Sequence, residues 1–298
     1  MILITGAGGM LGKYLVEQFG DEDIIALGLR QESNFRVDLT KEIPDFNNMK
    51  FSTVIHTAGT EDASNARELN IEGTKRLLKG LEKNPLKYFV YISSYKVYSR
   101  DAGEGVREDF NTWATDETGK SKALAETILK EWCEERDVVL TIIRPARMFG
   151  NGVKGETLVL FNDAVSGKYI HIRDNDAKVS IVCAYDVARG IRNLFERGGI
   201  YNASDGKPVK YIDMVETMTA NAGAKKRMTH LPAAWAEWIW RLGRWIPSVN
   251  RNLSPATVES RLKTLTLEGS KFSETAGIKY HDTLAVIERR DKDYPYAF

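Results

Sequence analysis

The stretch Thr5-Gly6-Ala7-Gly8-Gly9-Met10-Leu11-Gly12 follows the apolar run Met1-Ile2-Leu3-Ile4 and opens a segment, Leu11 to Phe19, whose apolar residues recur at helical spacing. Strand, glycine turn and helix follow one another without a break. At such a junction Gly6 permits the sharp turn, Gly9 lets backbone approach a pyrophosphate, and Gly12 lets the helix pack close to the strand. Exposed N–H groups at the helix start then favour an anion. An ordinary glycine-rich turn needs neither flanking element, so the context carries the reading.

Outward from this turn, Ile24-Ile25-Ala26-Leu27, Phe51 to His56, Lys87 to Ile92 and Val138 to Ile143 read as further buried strands, and the segment from Thr118 starts a helix. Short apolar strands alternating with helical segments imply an α/β fold with a doubly wound parallel sheet. The expected division is a nucleotide-binding domain over residues 1–152 and a smaller C-terminal α/β substrate domain made mainly of residues 153–298. Residues 179–203 are expected to return partly to the first. No internal repeat or low-complexity tract interrupts the chain.

Gly6-x-x-Gly9-x-x-Gly12 with Thr5 in front resembles the short-chain dehydrogenase/reductase superfamily, a Rossmann fold. Later landmarks resemble its extended, epimerase-like branch: Val54-Ile55-His56-Thr57-Ala58-Gly59, Asn70-Ile71-Glu72-Gly73-Thr74, Ser93-Ser94-Tyr95-Lys96-Val97-Tyr98 and Arg144-Pro145-Ala146-Arg147-Met148-Phe149-Gly150. Ile181 to Ala188, Gly199 to Ser204 and Leu267 to Phe272 continue the order. The resemblance spans nearly the whole chain, to the NAD-dependent epimerases and dehydratases of nucleotide sugars.

That resemblance implies a nicotinamide cofactor against Gly6, Gly8, Gly9, Met10, Leu11 and Gly12. Asp38, with Leu39 beside it, would meet the adenine edge; Thr57, Ala58, Gly59 and Pro145 would line the path of the cofactor. Where an NAD-selective site carries a carboxylate, this chain has Gly28, Leu29 and Arg30, so nothing repels a 2′-phosphate and a guanidinium is at hand. NADP is the expected cofactor, with NAD the alternative.

In the superfamily a Ser orients the substrate oxygen, a Tyr moves its proton, and a Lys four residues later holds the nicotinamide ribose. Ser94 and Lys122 match the Ser and the Lys, but the Tyr position holds Thr118, and residues 99–130 contain no tyrosine. An aliphatic hydroxyl is a far weaker acid than a phenol. Losing a general acid costs about 10²–10⁴ in rate. Tyr95 is the replacement candidate; Tyr98 falls on a structural landmark. The dehydratases carry an Asp-Glu pair where this chain has Tyr95 and Lys96, so water elimination is not expected. Arg147 replaces an Asn, and Val179 replaces a diphosphate-binding Arg for which Lys178 could substitute. Two readings stay open: an epimerase- or ketoreductase-like oxidoreductase, and an NADP-binding sensor or regulatory protein that lost turnover with its tyrosine.

Charge nearly cancels, 42 basic residues against 41 acidic, so bulk electrostatics favours neither nucleic acid nor an anionic membrane. Cys133 and Cys183 lack metal-ligand spacing and read as buried thiols; no metal is expected. A first strand at the first residues and no spanning-length apolar run imply a cytoplasmic protein. Its expected partner is a small-molecule substrate, with a nucleotide sugar among the options and a homodimer left open. Trp235, Trp238, Trp240 and Trp245 cluster with Arg241 and Arg244. Trp240 breaks their shared helical spacing, so packing around a cleft or subunit surface is expected there rather than membrane contact.

Overall fold

The computed structural model describes residues 1–29, 33–223, 228–232, 261–291 and 293–296. Arg30 and the tryptophan-rich segment lie outside the described residues.

Strand Ile2–Thr5 pairs in parallel with Ile24–Gly28 on one side and Thr53–His56 on the other. The seven-stranded sheet runs Gly199–Ala203, Val139–Pro145, Tyr88–Ile92, Thr53–His56, Ile2–Thr5, Ile24–Gly28, Phe35–Arg36, and every pairing in it is parallel. Strand order reverses at Ile2–Thr5, and an open parallel sheet has its crevice beyond the carboxyl ends at such a reversal. The glycine turn stands there.

Side chains alternate across the strands and so build two cores. Ile2, Ile4, Ile55, Val90 and Ile92 face one core, where Leu11 and Leu15 of helix Met10–Gln18 meet Val187 and Ile191 of helix Ala184–Leu194. Leu3, Val54, Phe89 and Tyr91 face the other, against Leu77, Leu78 and Leu81 of helix Thr74–Leu81 and Leu129 of helix Glu117–Glu134. With both faces covered, the strands need no polar alternation, which is why they read as continuous apolar runs. Cys133 and Cys183 are buried free thiols, each pushed up by burial.

Beyond the carboxyl edge lies a four-stranded sheet in the order Val209–Lys210, Lys178–Val179, Leu265–Leu267, Gly103–Val106. Helices Gly155–Val165 and Tyr211–Asn221 pack beside it, around Leu160, Val179, Met214 and Met218. A short parallel pair, Arg147–Phe149 with Ile181–Cys183, joins these parts to the main sheet. Among the described residues no helix is long and apolar enough to cross a membrane.

A buried polar network fixes the sheet edge that carries the site. Arg144 donates from Nε to Glu126 Oε1 at 3.0 Å and from a terminal nitrogen to Oε2 at 2.6 Å, and also to the Tyr98 hydroxyl at 2.8 Å. Ser93 Oγ donates to Glu126 at 2.5 Å, and Tyr98 in turn donates to Asn202 Oδ1 at 2.8 Å. Every strong donor in this cluster finds an acceptor, the condition under which a buried ion pair is tolerable. Tyr98 is committed to this network.

Candidate active site

At the glycine turn Gly6 takes φ +68°, and a Cβ there would come within 2.6 Å of Thr57 Oγ1. A Cβ on Gly12 would lie 2.2 Å from the Gly6 carbonyl. Both positions therefore exclude any side chain. The turn is tied to the neighbouring strand end: Thr57 Oγ1 donates to the Thr5 carbonyl at 2.8 Å, and Ala58 N donates to Thr5 Oγ1 at 3.2 Å. His56 sits underneath. Because Thr74 Oγ1 donates to the Asn70 carbonyl, His56 Nε2 must donate to Thr74 and Nδ1 must accept from Thr5 Oγ1, 2.6 Å away. Burial, with Lys122 adding to it, pulls this imidazole down to about 3, so it is a neutral structural brace.

The crevice above encloses about 610 Å³. Its floor is Gly6, Gly8, Gly9, Met10, Leu11 and Gly12, and Asp38, Leu39 and Thr40 close the end beside Gly28. Asp38 Oδ1 accepts from Thr40 N at 3.0 Å and from its hydroxyl at 2.6 Å, and these bonds hold the carboxyl below its usual range. Thr57, Ala58 and Gly59 form one wall; Ile92, Met148, Lys154 and Gly155 form the far end. Pro145 is buried at the end of its strand, and Met148 lines the crevice. Volume, backbone-lined floor and helix start suit a dinucleotide.

Lys122 enters from helix Glu117–Glu134, 8 % exposed, and donates from Nζ to the Ile92 carbonyl at 2.8 Å. A Cβ on Gly59 would sit 2.7 Å from that nitrogen, so glycine makes room for the ammonium. Burial pulls Lys122 down to about 8, against the opposing pull of Glu61 and Glu126. Ser94 begins the next turn, Tyr95–Val97, as its N-cap, with Oγ accepting from Lys96 N at 3.2 Å. That bond leaves the hydroxyl hydrogen of Ser94 available to a substrate oxygen.

Thr118, one helical turn before Lys122, is already engaged. Its hydroxyl donates to the Glu61 carbonyl at 3.1 Å. Asn70 fastens the same loop, donating to the Thr60 carbonyl and accepting from Thr60 N. The Glu61 carboxylate accepts from Glu156 N at 3.2 Å, so this loop touches the start of helix Gly155–Val165.

A second, smaller cavity of about 40 Å³ adjoins the first through the paired neighbours Arg147/Met148 and Gly155/Glu156. Tyr95, Lys96, Arg147, Glu156, Lys178 and Tyr211 line it. The Tyr95 hydroxyl accepts from Arg147 at 3.3 Å. Burial pushes Tyr95 up to about 12, although Arg147 and Lys96 pull the other way, so the phenol keeps its proton at neutral pH. Lys178 reaches Glu104 at 3.2 Å, at the outer rim. The structure thus groups Tyr95, Arg147 and Lys178 around one cavity, and sets Lys122 behind Gly59 and Ile92 of the other.

Sequence reasoning did not single out Glu156, Glu61 or Met148. Glu156 lies in Lys154-Gly155-Glu156, a polar helix start like many others, and only its approach to Lys96 in space marks it. In the sequence Lys96 stands out for the acid it replaces rather than for its charge.

Residues 2–204 match the model of the NAD dependent epimerase/dehydratase family. The chain is 27% identical, over 78% of its length and 75% of the relative's, to the N-acetyl-alpha-D-glucosaminyl-diphospho-ditrans,octacis-undecaprenol 4-epimerase of Escherichia coli O157:H7. It is 26% identical to the UDP-glucose 4-epimerase of Vibrio cholerae, over 95% of its length and 92% of that protein. The fold superposes with a TM-score of 0.71 on RMD from Pseudomonas aeruginosa complexed with NADPH, at 19% identity and covering 97% of this chain and 98% of that one. The glycine-turn crevice, the order of its landmarks and a family match across two thirds of its length agree: this chain belongs to the NAD dependent epimerase/dehydratase family.

Proposed function

We propose that this protein is a nicotinamide-dependent oxidoreductase of epimerase or ketoreductase type acting on the sugar of a nucleotide sugar. The observation that carries the reading is Lys122: its buried ammonium is fixed by the Ile92 carbonyl at the seam between the glycine-turn crevice and the turn bearing Ser94. The residues of that crevice suit NADP(H), which when bound would supply a hydride-exchanging nicotinamide. Lys122 would hold the nicotinamide ribose. Ser94 would donate its free hydrogen to the sugar carbinol or ketone oxygen.

Proton transfer falls to Tyr95 in this reading, because Thr118 is engaged with Glu61. With its pKa near 12, the phenol is a poor base at neutral pH yet acid enough to protonate an alkoxide. The relatives named as 4-epimerases support a sugar substrate, and the NADPH-bound neighbour supports the cofactor class. Gly28 in place of a carboxylate, with Arg30 two residues later, supports NADP over NAD.

Titration of intrinsic fluorescence with NADPH and NADH tests the cofactor, with tighter NADPH binding expected and Arg30→Ala removing the preference. Single-turnover oxidation of NADPH with 4-keto nucleotide sugars tests the chemistry. Tyr95→Phe is expected to abolish that turnover, a loss of about 10²–10⁴, while leaving NADPH affinity intact. Turnover that survives Tyr95→Phe rejects the replacement acid. The bond from Thr118 to Glu61 favours a second reading, a cofactor-binding sensor without turnover, and absence of hydride transfer across the panel would establish it over the first.

A further inference from the structure

Arg147 and Lys96 are two cations placed in the protein interior, 8 % and 7 % exposed. Taking a guanidinium and an ammonium out of water costs several kcal/mol each, so such groups persist only with good partners. One carboxylate serves both. Glu156 Oε1 lies 2.7 Å from Lys96 Nζ, and Oε2 lies 3.8 Å from Arg147. Glu156 is the carboxylate in ion-pair contact with the two cations, and Glu61 acts on both only at longer range. Arg147 is also incompletely satisfied: its Nε is buried with no hydrogen-bond partner among the described residues. Its other contacts are neutral and long, 3.3 Å to the Tyr95 hydroxyl and 3.5 Å to Thr157 Oγ1.

Glu156 differs from the cations it serves. Its side chain is 49% exposed and stands in the first turn of helix Gly155–Val165. Burial raises its carboxyl, but Lys96 and Arg147 together hold it below the usual range, so it is an anion at neutral pH. The cavity beside it, about 40 Å³, has room for a small group or a few waters and not for a sugar ring. A sugar can enter only if a wall residue moves, and the half-exposed Glu156 has solvent to move into.

The position of this pair relates it to the reacting centre. Lys96 lies two residues after Ser94 in one short turn, and its own N–H bonds Ser94 Oγ. The cavity that Lys96 and Arg147 line thus adjoins the turn that carries Ser94, which points to a group on the sugar ring rather than on its carrier. We propose, resting on the nucleotide-sugar reading above, that Lys96 and Arg147 form a seat for a carboxylate on the substrate's sugar ring, as in a uronic acid. Glu156 fills that seat until the substrate displaces it. The Glu156 carboxylate already shows the fit, with one oxygen toward the ammonium and the other toward the guanidinium. The incoming group exchanges one carboxylate for another and also gains the idle Arg147 Nε, so the exchange is favourable without any new buried charge.

Binding by isothermal calorimetry to the full chain in saturating NADPH tests the seat, with UDP-glucuronate, UDP-glucose and UDP as probes. UDP-glucuronate is expected to bind about tenfold or more tighter than UDP-glucose. Arg147→Gln should erase that difference while changing UDP-glucose affinity little, and Glu156→Gln, at a half-exposed position, should tighten UDP-glucuronate selectively by removing its competitor. NADPH affinity serves as the check that each variant is folded. Equal affinity for the two sugars in the unmodified protein overturns the seat and leaves the nucleotide-sugar reading standing. Loss of UDP affinity in Arg147→Gln as large as that of UDP-glucuronate also overturns it, because the cations then serve the diphosphate. If NADPH binds and none of the three probes does, the nucleotide-sugar reading falls and the seat with it.

Discussion

Thr118 Oγ1 donates its hydrogen bond to the backbone carbonyl of Glu61, 3.1 Å away, in the helical position one turn before Lys122. The hydroxyl that stands where the resemblance expects a phenol is thus bonded to the loop wall, while Lys122 bonds the Ile92 carbonyl. The side chain that stands in place of the phenol is also the one that fastens the Glu61 loop.

Thr118→Val is expected to cost about 1 kcal/mol, the worth of one ordinary hydrogen bond, read by urea denaturation. Thr118→Tyr frees the loop and returns a phenol to the helical face of Lys122. On the sensor reading it should bring NADPH oxidation where the unmodified protein has none, whereas on the oxidoreductase reading, with Tyr95 already supplying the proton, it should change the rate little. A rate no higher than that of the unmodified protein would show that the proton source is already adequate elsewhere.

Glu126 and Arg144 should behave as a coupled pair. Glu126→Ala leaves a buried guanidinium uncompensated and is expected to destabilise by roughly 3–5 kcal/mol, with Arg144→Met of similar size. Because Ser93, Tyr98 and Arg144 all lean on this cluster, the double variant should cost well under the sum of the two single losses. Additive losses in a chemical-denaturation cycle would refute the coupling.

Stability should fall in acid through His56. Its pKa drops from 6.5 to about 3 on folding, so between those values the unfolded chain takes up a proton that the native chain refuses, and stability declines as pH falls. The full span is worth up to about 5 kcal/mol at 1.36 kcal/mol per unit. A His56→Gln variant, lower in stability at pH 7 because the Thr5–His56–Thr74 brace is disturbed, should lose this part of the slope. Parallel pH profiles for the two proteins between 6.5 and 3 would contradict a buried neutral imidazole.

The glycine turn, the parallel strands and the helix of Lys122 were legible because each is written locally, in an apolar run, a glycine that no side chain can replace, or a helical period. Sequence also exposed the missing phenol, since an absence at a fixed spacing can be read directly. What it could not show was the pairing of Lys96 and Arg147 with Glu156. Those residues come from three segments, and their meaning depends on burial of the cations and exposure of the acid. The same limit applied to Thr118, whose partner Glu61 is 57 positions away and offers only a main-chain carbonyl. Tyr98 shows the converse: the landmark marked it as structural, and its bonds to Arg144 and Asn202 give the reason.

Lys122 supplies the strictest test, because its placement should harm stability and serve binding at once. Below pH 8 its ammonium is charged in both folded and unfolded chains, and the burial penalty, about 2.5 pKa units or roughly 3 kcal/mol, is fully present. Between pH 8 and 10.5 the native chain releases the proton while the unfolded chain keeps it, so this penalty is relieved as pH rises. Lys122→Met removes the penalty but also removes the bond to the Ile92 carbonyl, worth about 1 to 2 kcal/mol. The variant should therefore be more stable than the unmodified protein at pH 7, by roughly 1 to 2 kcal/mol, and that advantage should shrink toward pH 10. NADPH affinity should move the opposite way and fall at least about tenfold if the ammonium holds the nicotinamide ribose. A variant less stable at pH 7 would mean that the ammonium is well paid for by its surroundings, and undiminished NADPH affinity would remove Lys122 from the cofactor site.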